Sequence, residues 1–340
     1  MLKIKQRLIF REDNVILQNF WGFWRRDIET FQKSDFLTSG GRYSVTESLL
    51  GKISGELLIE IDVPIEVEVT FEAQINANVN GAIAHANAPG AKAYAAAPGA
   101  IACAKVRGAE AYANAPGAIA YADAPRAKAY AKVRGAEAHA NGDGAKAYAT
   151  VTGAIACAKV RGAEAYANAP GAEAHANADG AFACANVKGA RAYASAPGAK
   201  AYAAVAGAIA CADAEGARAY ATALGTKAYA TAPGARAYAT ALGAEAHADA
   251  PGAEAHANVN RGEVYANVEG AIAYANADKA RAYANVKGAI ARATASGAIA
   301  YANADGARAY ASARGAIAYA NAWGAVAYAN APGALATPLS

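Results

Sequence analysis

From residue 81 to residue 332 apolar and polar positions alternate, and the alternation restarts every nine residues without slipping register. Gly81-Ala82-Ile83-Ala84-His85-Ala86-Asn87-Ala88-Pro89 is typical, and twenty-eight such units follow one another. Position 1 is Gly, except at Arg126, Arg261 and Lys279, and positions 2, 4, 6 and 8 are nearly always Ala. Position 3 is charged or aliphatic, position 5 is mostly Tyr with His or Cys in its place, and position 9 is often Pro. A period of two is that of a strand with one buried face. Positions 2, 4, 6 and 8 are therefore expected inside, and positions 3, 5 and 7 in solvent. A helix would turn successive units to opposite sides, because nine residues make about 2.5 turns. The recurrent Pro would also cost about 3 kcal/mol inside a helix.

The joints point the same way. Ala88-Pro89-Gly90-Ala91 places Pro and then Gly at the centre of a turn, the type II preference. Antiparallel hairpins prefer primed turns. The turns are thus arcs that hand the chain to a second sheet, and like strands pair between coils in a parallel β-solenoid. A triangular coil lined only with Ala would leave a void, so close packing favours two units, 18 residues, per coil. The alternative is three units, 27 residues. Lys105-Val106-Arg107, Lys132-Val133-Arg134, Lys159-Val160-Arg161 and Asn186-Val187-Lys188 recur at that longer interval. With two units per coil and a rise of about 4.8 Å, the array would be a rod roughly 65–70 Å long.

Residues 1–71 are read as a small mixed amino-terminal head or cap, 72–332 as the nonapeptide solenoid with its transition coil, and 333–340 as a tail. Ile4, Leu8 and Phe10 share a parity that predicts a first strand. Phe20, Trp21, Phe23 and Trp24, followed by Arg25 and Arg26, form an aromatic cluster edged by bases. On a helix Phe20, Phe23, Trp24 and Ile28 would share a face. The cluster is either the core of the head or a docking surface for a partner, a second copy or a membrane interface. Ser39-Gly40-Gly41 reads as a loop. Ile59 to Val79 alternates strictly, and Pro64 within it marks an edge strand or a bend. Ile75 and Val79 are expected inside, plugging the end of the stack. Asn141-Gly142-Asp143 and Arg261-Gly262-Glu263-Val264 depart from the unit and predict a bend or bulge. Outward Ile272, Ile290, Ile299, Ile317 and Val326, with Trp323, predict an association surface near the carboxyl end.

Composition narrows the setting. The 340 residues have a net charge of +4, and hydrophobic residues make up 55% largely because of Ala. No run of about 20 apolar residues predicts a membrane helix, and the charged start Met1-Leu2-Lys3-Ile4-Lys5 lacks an apolar signal core. A cytoplasmic protein is expected, with non-classical export or phage-type release as further routes. Cys103, Cys157, Cys184 and Cys211 all stand at position 5, without the spacing of a zinc site, and are read as small reduced side chains.

The residues show no catalytic constellation. His85, His139, His175, His247 and His256 are scattered through position 5, with no nucleophile beside them. The period resembles that of the calcium-binding RTX rolls, but the Gly-Gly-x-Gly-x-Asp pattern is missing, so no calcium ladder is expected. Thr222, Thr231 and Thr240 are too few for a flat ice-binding row. No cofactor, metal or enzymatic activity is expected. The reading is a structural or interaction protein that self-assembles as a homo-oligomer or filament and docks through its head. One alternative is polyanion binding, to nucleic acid or glycan, through a basic stripe of Lys105, Arg107, Lys132, Arg134, Lys159, Arg161 and Lys188, with outward Tyr stacking on bases or sugars. Such a stripe requires the three-sided coil. The other alternative is an effector or defence component whose head recruits a target.

Overall fold

The structure is a computed structural model that describes residues 4–11, 14–21, 25–32, 35, 37, 43–45, 55–63, 65–69 and 73–337. Among these residues there are thirty-six β-strands and no α-helix. The chain forms two compact units, Met1–Ala165 and Tyr166–Ser340.

Both units are parallel β-solenoid with 18 residues per coil. In the first, Glu110 pairs with Lys92 on one side and Lys128 on the other, and Ile101 pairs with Ile83 and Ile119. In the second, Arg218 pairs with Lys200 and Arg236, and Arg281 with Glu263 and Ile299. Strands that follow one another in sequence therefore belong to opposite sheets, and each pairs with the strand two units away. The 27-residue recurrence is not the period of the coil. Close packing of Ala decides it, because only two facing sheets can be filled by side chains of a single methyl.

From Gln74–Ala77 to Val326–Ala329 each strand is four residues long, as in Ile83–Ala86, rather than the seven that the alternation allows. The turn takes the rest. The Ala91 amide donates to the Ala88 carbonyl at 3.2 Å, closing the expected Pro-Gly turn. Positions 2, 4 and 6 are sealed inside the array, as at the fully buried Ala82, Ala84 and Ala86, and are uncovered in the last coil, as at Ala329 and Ala336. Position 8 lies at the corner and is less uniformly covered, from buried Ala88 to the exposed Val205. Each inward methyl contributes about 0.8 kcal/mol of burial.

The turn also explains why position 1 is Gly. Every Gly there has a positive φ, such as 78° at Gly90, a left-handed conformation that costs other residues about 1 kcal/mol or more. The three exceptions obey the same geometry: Arg126 and Arg261 have φ of 60° and Lys279 of 56°. Gly142 is different. A Cβ there would lie 2.2 Å from the Ala124 carbonyl oxygen, so the backbone approaches its neighbour too closely for any side chain. The strands on either side, Glu137–Ala140 and Lys146–Ala149, keep their register. At the other irregular unit Val264 is fully buried in place of Ala, and a Cβ at Gly262 would crowd Val259 and Ala257 at 3.1 and 3.2 Å. The larger side chain is accommodated without shifting the ladder, since Val264 pairs with Ala246 and Ala282 as its neighbours require.

The amino-terminal strands join the same sheets. They are β1 (Ile4–Phe10), β2 (Asn14–Trp21), β3 (Arg25–Gln32), β4 (Tyr43–Val45), β5 (Gly55–Ile61), β6 (Glu66–Val69) and β7 (Gln74–Ala77). β1 pairs in parallel with β5 and antiparallel with β2, and β2 continues antiparallel to β3. The pairing offset then settles: Leu58 meets Gln74, Glu66 meets Ile83, and from Gln74 to Lys92 the regular coil begins. The chain bends at Val63, between β5 and β6, beside Pro64. Most of the largest fully buried side chains lie here: Leu8, Phe10, Val15, Val45, Ile59, Ile61, Val67 and Ile75. Of the two residues expected to plug the stack, Ile75 is fully buried and Val79 only half-buried. Phe20 and Trp21 end β2, and Arg25 and Arg26 begin β3, so the helix considered for this stretch is replaced by two antiparallel strands. The Ser39-Gly40-Gly41 loop lies outside the described residues.

Arg126→Gly relieves the left-handed strain at that turn and is expected to raise stability by about 0.5–1 kcal/mol, after the entropy of the added Gly. Gly135→Ala adds a strained Cβ that makes only ordinary contact, with the Gly117 nitrogen at 4.0 Å, and is expected to lower it by about 1–2 kcal/mol. Thermal denaturation followed by circular dichroism measures both, and equal melting temperatures for the two variants would contradict this origin of the position-1 preference.

Candidate functional surface: the outward ladders

Because like positions pair across coils, every outward side chain stands in a column, about 4.8 Å from its neighbours. What a column does depends on which residues succeed one another at a spacing of 18 rather than nine.

Position 5 forms aromatic stacks. In the first unit Tyr94, Tyr112, Tyr130 and Tyr148 follow one another with ring centroids 4.7, 4.8 and 4.9 Å apart. In the second unit Tyr202, Tyr220, Tyr238, His256 and Tyr274 form one column, with centroids 4.6 to 5.0 Å apart. Arg292 continues it between Tyr274 and Tyr310, its guanidinium 5.7 and 5.5 Å from the two rings. Tyr229, His247, Tyr265, Tyr283, Tyr301 and Tyr319 form a column on the opposite sheet. Neighbouring rings are nearly parallel, 2–16° apart in these columns. Each ring inside a column thus has both faces covered by its neighbours and shows solvent an edge and a hydroxyl. Stacking on nucleobases or sugars, expected of outward Tyr, needs the faces that the columns occupy.

Position 3 is largely a column of ion pairs. Lys128 lies 3.5 Å from Glu110, Lys146 2.8 Å from Glu164, Lys227 3.1 Å from Glu245, Arg236 3.0 Å from Glu254 and Arg281 3.4 Å from Glu263. All are partly exposed, and each contributes a few tenths of a kcal/mol, up to about 1. Lys200, Arg218 and Arg236 depart from this rule as three consecutive bases in one ladder, with an acid only beyond Arg236. Position 7 carries an amide ladder. Asn267 donates to Asp249 at 2.8 Å, Asn285 to Asn267 at 3.1 Å, Asn303 to Asn285 at 3.0 Å and Asn321 to Asn303 at 2.9 Å. Only the 18-residue offset reveals these partners. With it in hand, Asp249, Asn267, Asn285, Asn303 and Asn321 can be read off the sequence as one row.

The proposed basic stripe is divided. In the first unit Lys105 and Arg107 follow strand Ile101–Ala104, and Lys159 and Arg161 follow Ile155–Ala158, both in one sheet. Lys132 and Arg134 follow Lys128–Ala131 in the opposite sheet. Lys188 follows Phe182–Ala185 in the second unit. The Lys132 ammonium stands over the Tyr112 ring, 4.2 Å from its centroid. The cause is the coil: a motif recurring every three units changes face each time when two units make a turn.

The docking cluster is partly brought together. Phe20 is the cross-strand partner of Arg26, and Trp21 of Arg25, at the end of the β2–β3 pair. Phe23 and Trp24 lie outside the described residues. Among the described strands, β3 has β2 as its neighbour on one side and none on the other.

The histidines are tied to their own strands. His139, His175, His247 and His256 each meet the Glu two residues earlier, with Nε2 2.9 to 3.3 Å from a carboxylate oxygen. Burial nonetheless lowers the pKa of His139 and of His256 below the usual imidazole value, and the adjacent Glu only partly offsets it. Burial pushes the Cys184 thiol up to about 11 and the Cys211 thiol to about 12. Such thiols stay protonated and are poor nucleophiles. Among the described residues no group of three His, Cys, Asp or Glu is placed to hold a metal ion. Among the described residues no helix is long and apolar enough to cross a membrane. No family model matches the chain, nor does any curated protein or solved structure.

An imidazole whose pKa is lowered by folding resists protonation, so its contribution to stability is complete above the unfolded value near 6.5 and is lost as pH falls through the folded one. His256→Tyr replaces the ring by the residue usual at position 5, between Tyr238 and Tyr274. Denaturant unfolding at pH 7.5 and pH 5 is expected to show a smaller acid loss of stability in the variant than in the parent. An unchanged loss would assign the acid sensitivity elsewhere.

Proposed function

We propose that this chain is a structural scaffold: a stiff alanine-cored solenoid that assembles with copies of itself and engages partners through its amino-terminal strands. The observation that carries this reading is the use made of the outward side chains. Rings stack on rings, Lys and Arg pair with Glu, and Asn bonds to Asn, each along the direction in which coils are added. Side chains committed to their own ladders brace the array and leave little converging chemistry for turnover. The amino-terminal strands differ: Phe20, Trp21, Arg25 and Arg26 lie together at the end of a strand pair, outside the repeating ladders. A mixture of aromatic and guanidinium groups is typical of the anchoring residues of interfaces.

Sedimentation velocity and negative-stain microscopy of the full chain test this reading. Assemblies heavier than one 34.2 kDa chain are expected. Trp21→Ser combined with Arg25→Ser is expected to shift them toward monomer while the circular dichroism spectrum is kept. A monomer at all concentrations, or assemblies indifferent to the double variant, would remove the self-docking role.

Polyanion binding is the second reading, and the run Lys200, Arg218 and Arg236 favours it. Like charges opposite one another in a ladder are destabilising unless something outside compensates them. A sulfated glycan or single-stranded DNA laid along the column would do so, through phosphate or sulfate contacts alone. Binding of heparin or of single-stranded DNA should weaken steeply with salt, and Arg218→Gln should flatten the dependence by about one ion. Binding that Arg218→Gln leaves unchanged would dismiss this site.

A further inference from the structure

Two phenols of the aromatic columns are hydrogen-bonded to a carboxylate of their own strand. Tyr112 donates its hydroxyl hydrogen to a Glu110 carboxylate oxygen, and Tyr265 donates to Glu263 at 2.6 Å. In each case the Glu is two residues earlier on the same strand, so both side chains project from one face. Each phenol is also inside a stack. Tyr112 has Tyr94 at 4.7 Å and Tyr130 at 4.8 Å, and Tyr265 has His247 at 4.8 Å and Tyr283 at 5.0 Å. The interplanar angles of the Tyr pairs are 9° or 10°.

These two features belong to one chemistry. A phenol gives up an electron readily only if its proton can leave at the same time, and a carboxylate at hydrogen-bond distance is a positioned base for that proton. A phenoxyl radical so formed carries spin on its ortho carbons, and in a column the next reactive carbon is on the neighbouring ring.

We propose that Tyr112 and Tyr265 are preferred sites of attack by a one-electron oxidant, and that each then couples to a stacked tyrosine, closing a dityrosine bridge between adjacent coils. At the second site the oxidant removes an electron from Tyr265 and its hydroxyl proton passes to Glu263. Tyr283 loses a second electron to the oxidant and its proton to water. A carbon–carbon bond forms between the two ortho positions, and the hydrogens on those carbons return to the phenolic oxygens. Two electrons and two protons leave for each bridge. Half-burial and the nearby carboxylate both favour the protonated phenol at rest, since burial first and the hydrogen bond to Glu263 second raise the Tyr265 pKa. The pair is thus inert until an oxidant arrives. The bridge would tie one coil covalently to the next, parallel to the hydrogen-bond ladder. The inference rests on the geometry of the columns and stands whether or not the chain acts as a scaffold.

The contrast within one column supplies the control. Tyr301 and Tyr319 stack at 5.2 Å and 12°, with position 3 occupied by Ile299 and Ile317 instead of Glu. The same coupling there lacks the positioned base.

The test uses the full chain, dilute, under visible light with ruthenium(II) tris(bipyridyl), persulfate taking up the electrons. Dityrosine fluorescence is followed in time, and tryptic peptides are examined by mass spectrometry for linked pairs two hydrogens lighter than their sum. The peptide 262–279 should be found joined to 282–287 through Tyr265 and Tyr283 before any Tyr301–Tyr319 link accumulates. Glu263→Gln keeps the shape but removes the base. A hydrogen bond to a charged group contributes about 1.5–3 kcal/mol, so the initial rate of that link should fall about tenfold or more. Glu263 also meets Arg281, whose guanidinium bonds the Tyr283 phenol as well, so Arg281→Gln, which leaves the carboxylate in place, should slow the link less than Glu263→Gln. Tyr265→Phe should abolish it. A Tyr301–Tyr319 link that forms as fast, a rate unchanged in Glu263→Gln, a rate lost equally in Arg281→Gln, or links only between separate molecules would each overturn the proposal.

Discussion

The whole array depends on how little space lies between its two sheets. A side chain of one methyl fills nearly all of that space, and only a few larger ones, among them Val264 and Thr226, are fully buried in the repeats. The thin interior fixes the coil at two units, because any wider polygon of the same side chains would be hollow. Coil size in turn fixes which residues are neighbours, and every ion pair, ring stack and amide ladder on the outside follows from that choice. The first coils have another solution. There Leu8, Phe10, Ile59, Ile61 and Ile75 supply the volume that methyl groups cannot, and the parallel stack gives way to antiparallel β1, β2 and β3.

Much of this was legible in the residues themselves. Alternating Ala predicts the buried parity, and Pro-Gly predicts the left-handed corner; both appear where expected, down to the three corners at Arg126, Arg261 and Lys279 that take the same φ without Gly. Strand length was less legible. Period-two alternation continues through positions 2 to 8, and nothing in the side chains announces that the turn has already claimed positions 8, 9, 1 and 2. The aromatic-rich stretch from Phe20 to Ile28 was ambiguous for a different reason. Its apolar positions fit a helical face, but pairing with a neighbouring strand is a long-range fact that a local pattern does not encode.

The surface was the hardest part to read, and the tyrosines show why. In sequence each Tyr is flanked by Ala and appears as an isolated outward ring, open to any planar partner. In the fold a Tyr inside a column has its true neighbours 18 residues away, at 4.6 to 5.2 Å, and they cover both faces. The same blind spot applies to Lys105, Lys132, Lys159 and their companions, which look like a stripe at one coil size and are divided between sheets at the other. A residue in a solenoid has no surface identity until the coil length is known.

That dependence bears on how such a gene can change. Loss or gain of 18 codons' worth of chain within the array removes or adds a complete rung and returns every later side chain to its former column. Loss or gain of nine leaves the interior satisfied, yet transposes everything downstream to the opposite sheet. The sequence carries traces of copying by three units, in the recurring Lys-Val-Arg motifs and in Cys103 and Cys157, which six units bring back to one sheet. Replication slippage can therefore shuffle the outer decoration of this protein from face to face while its alanine interior registers no difference.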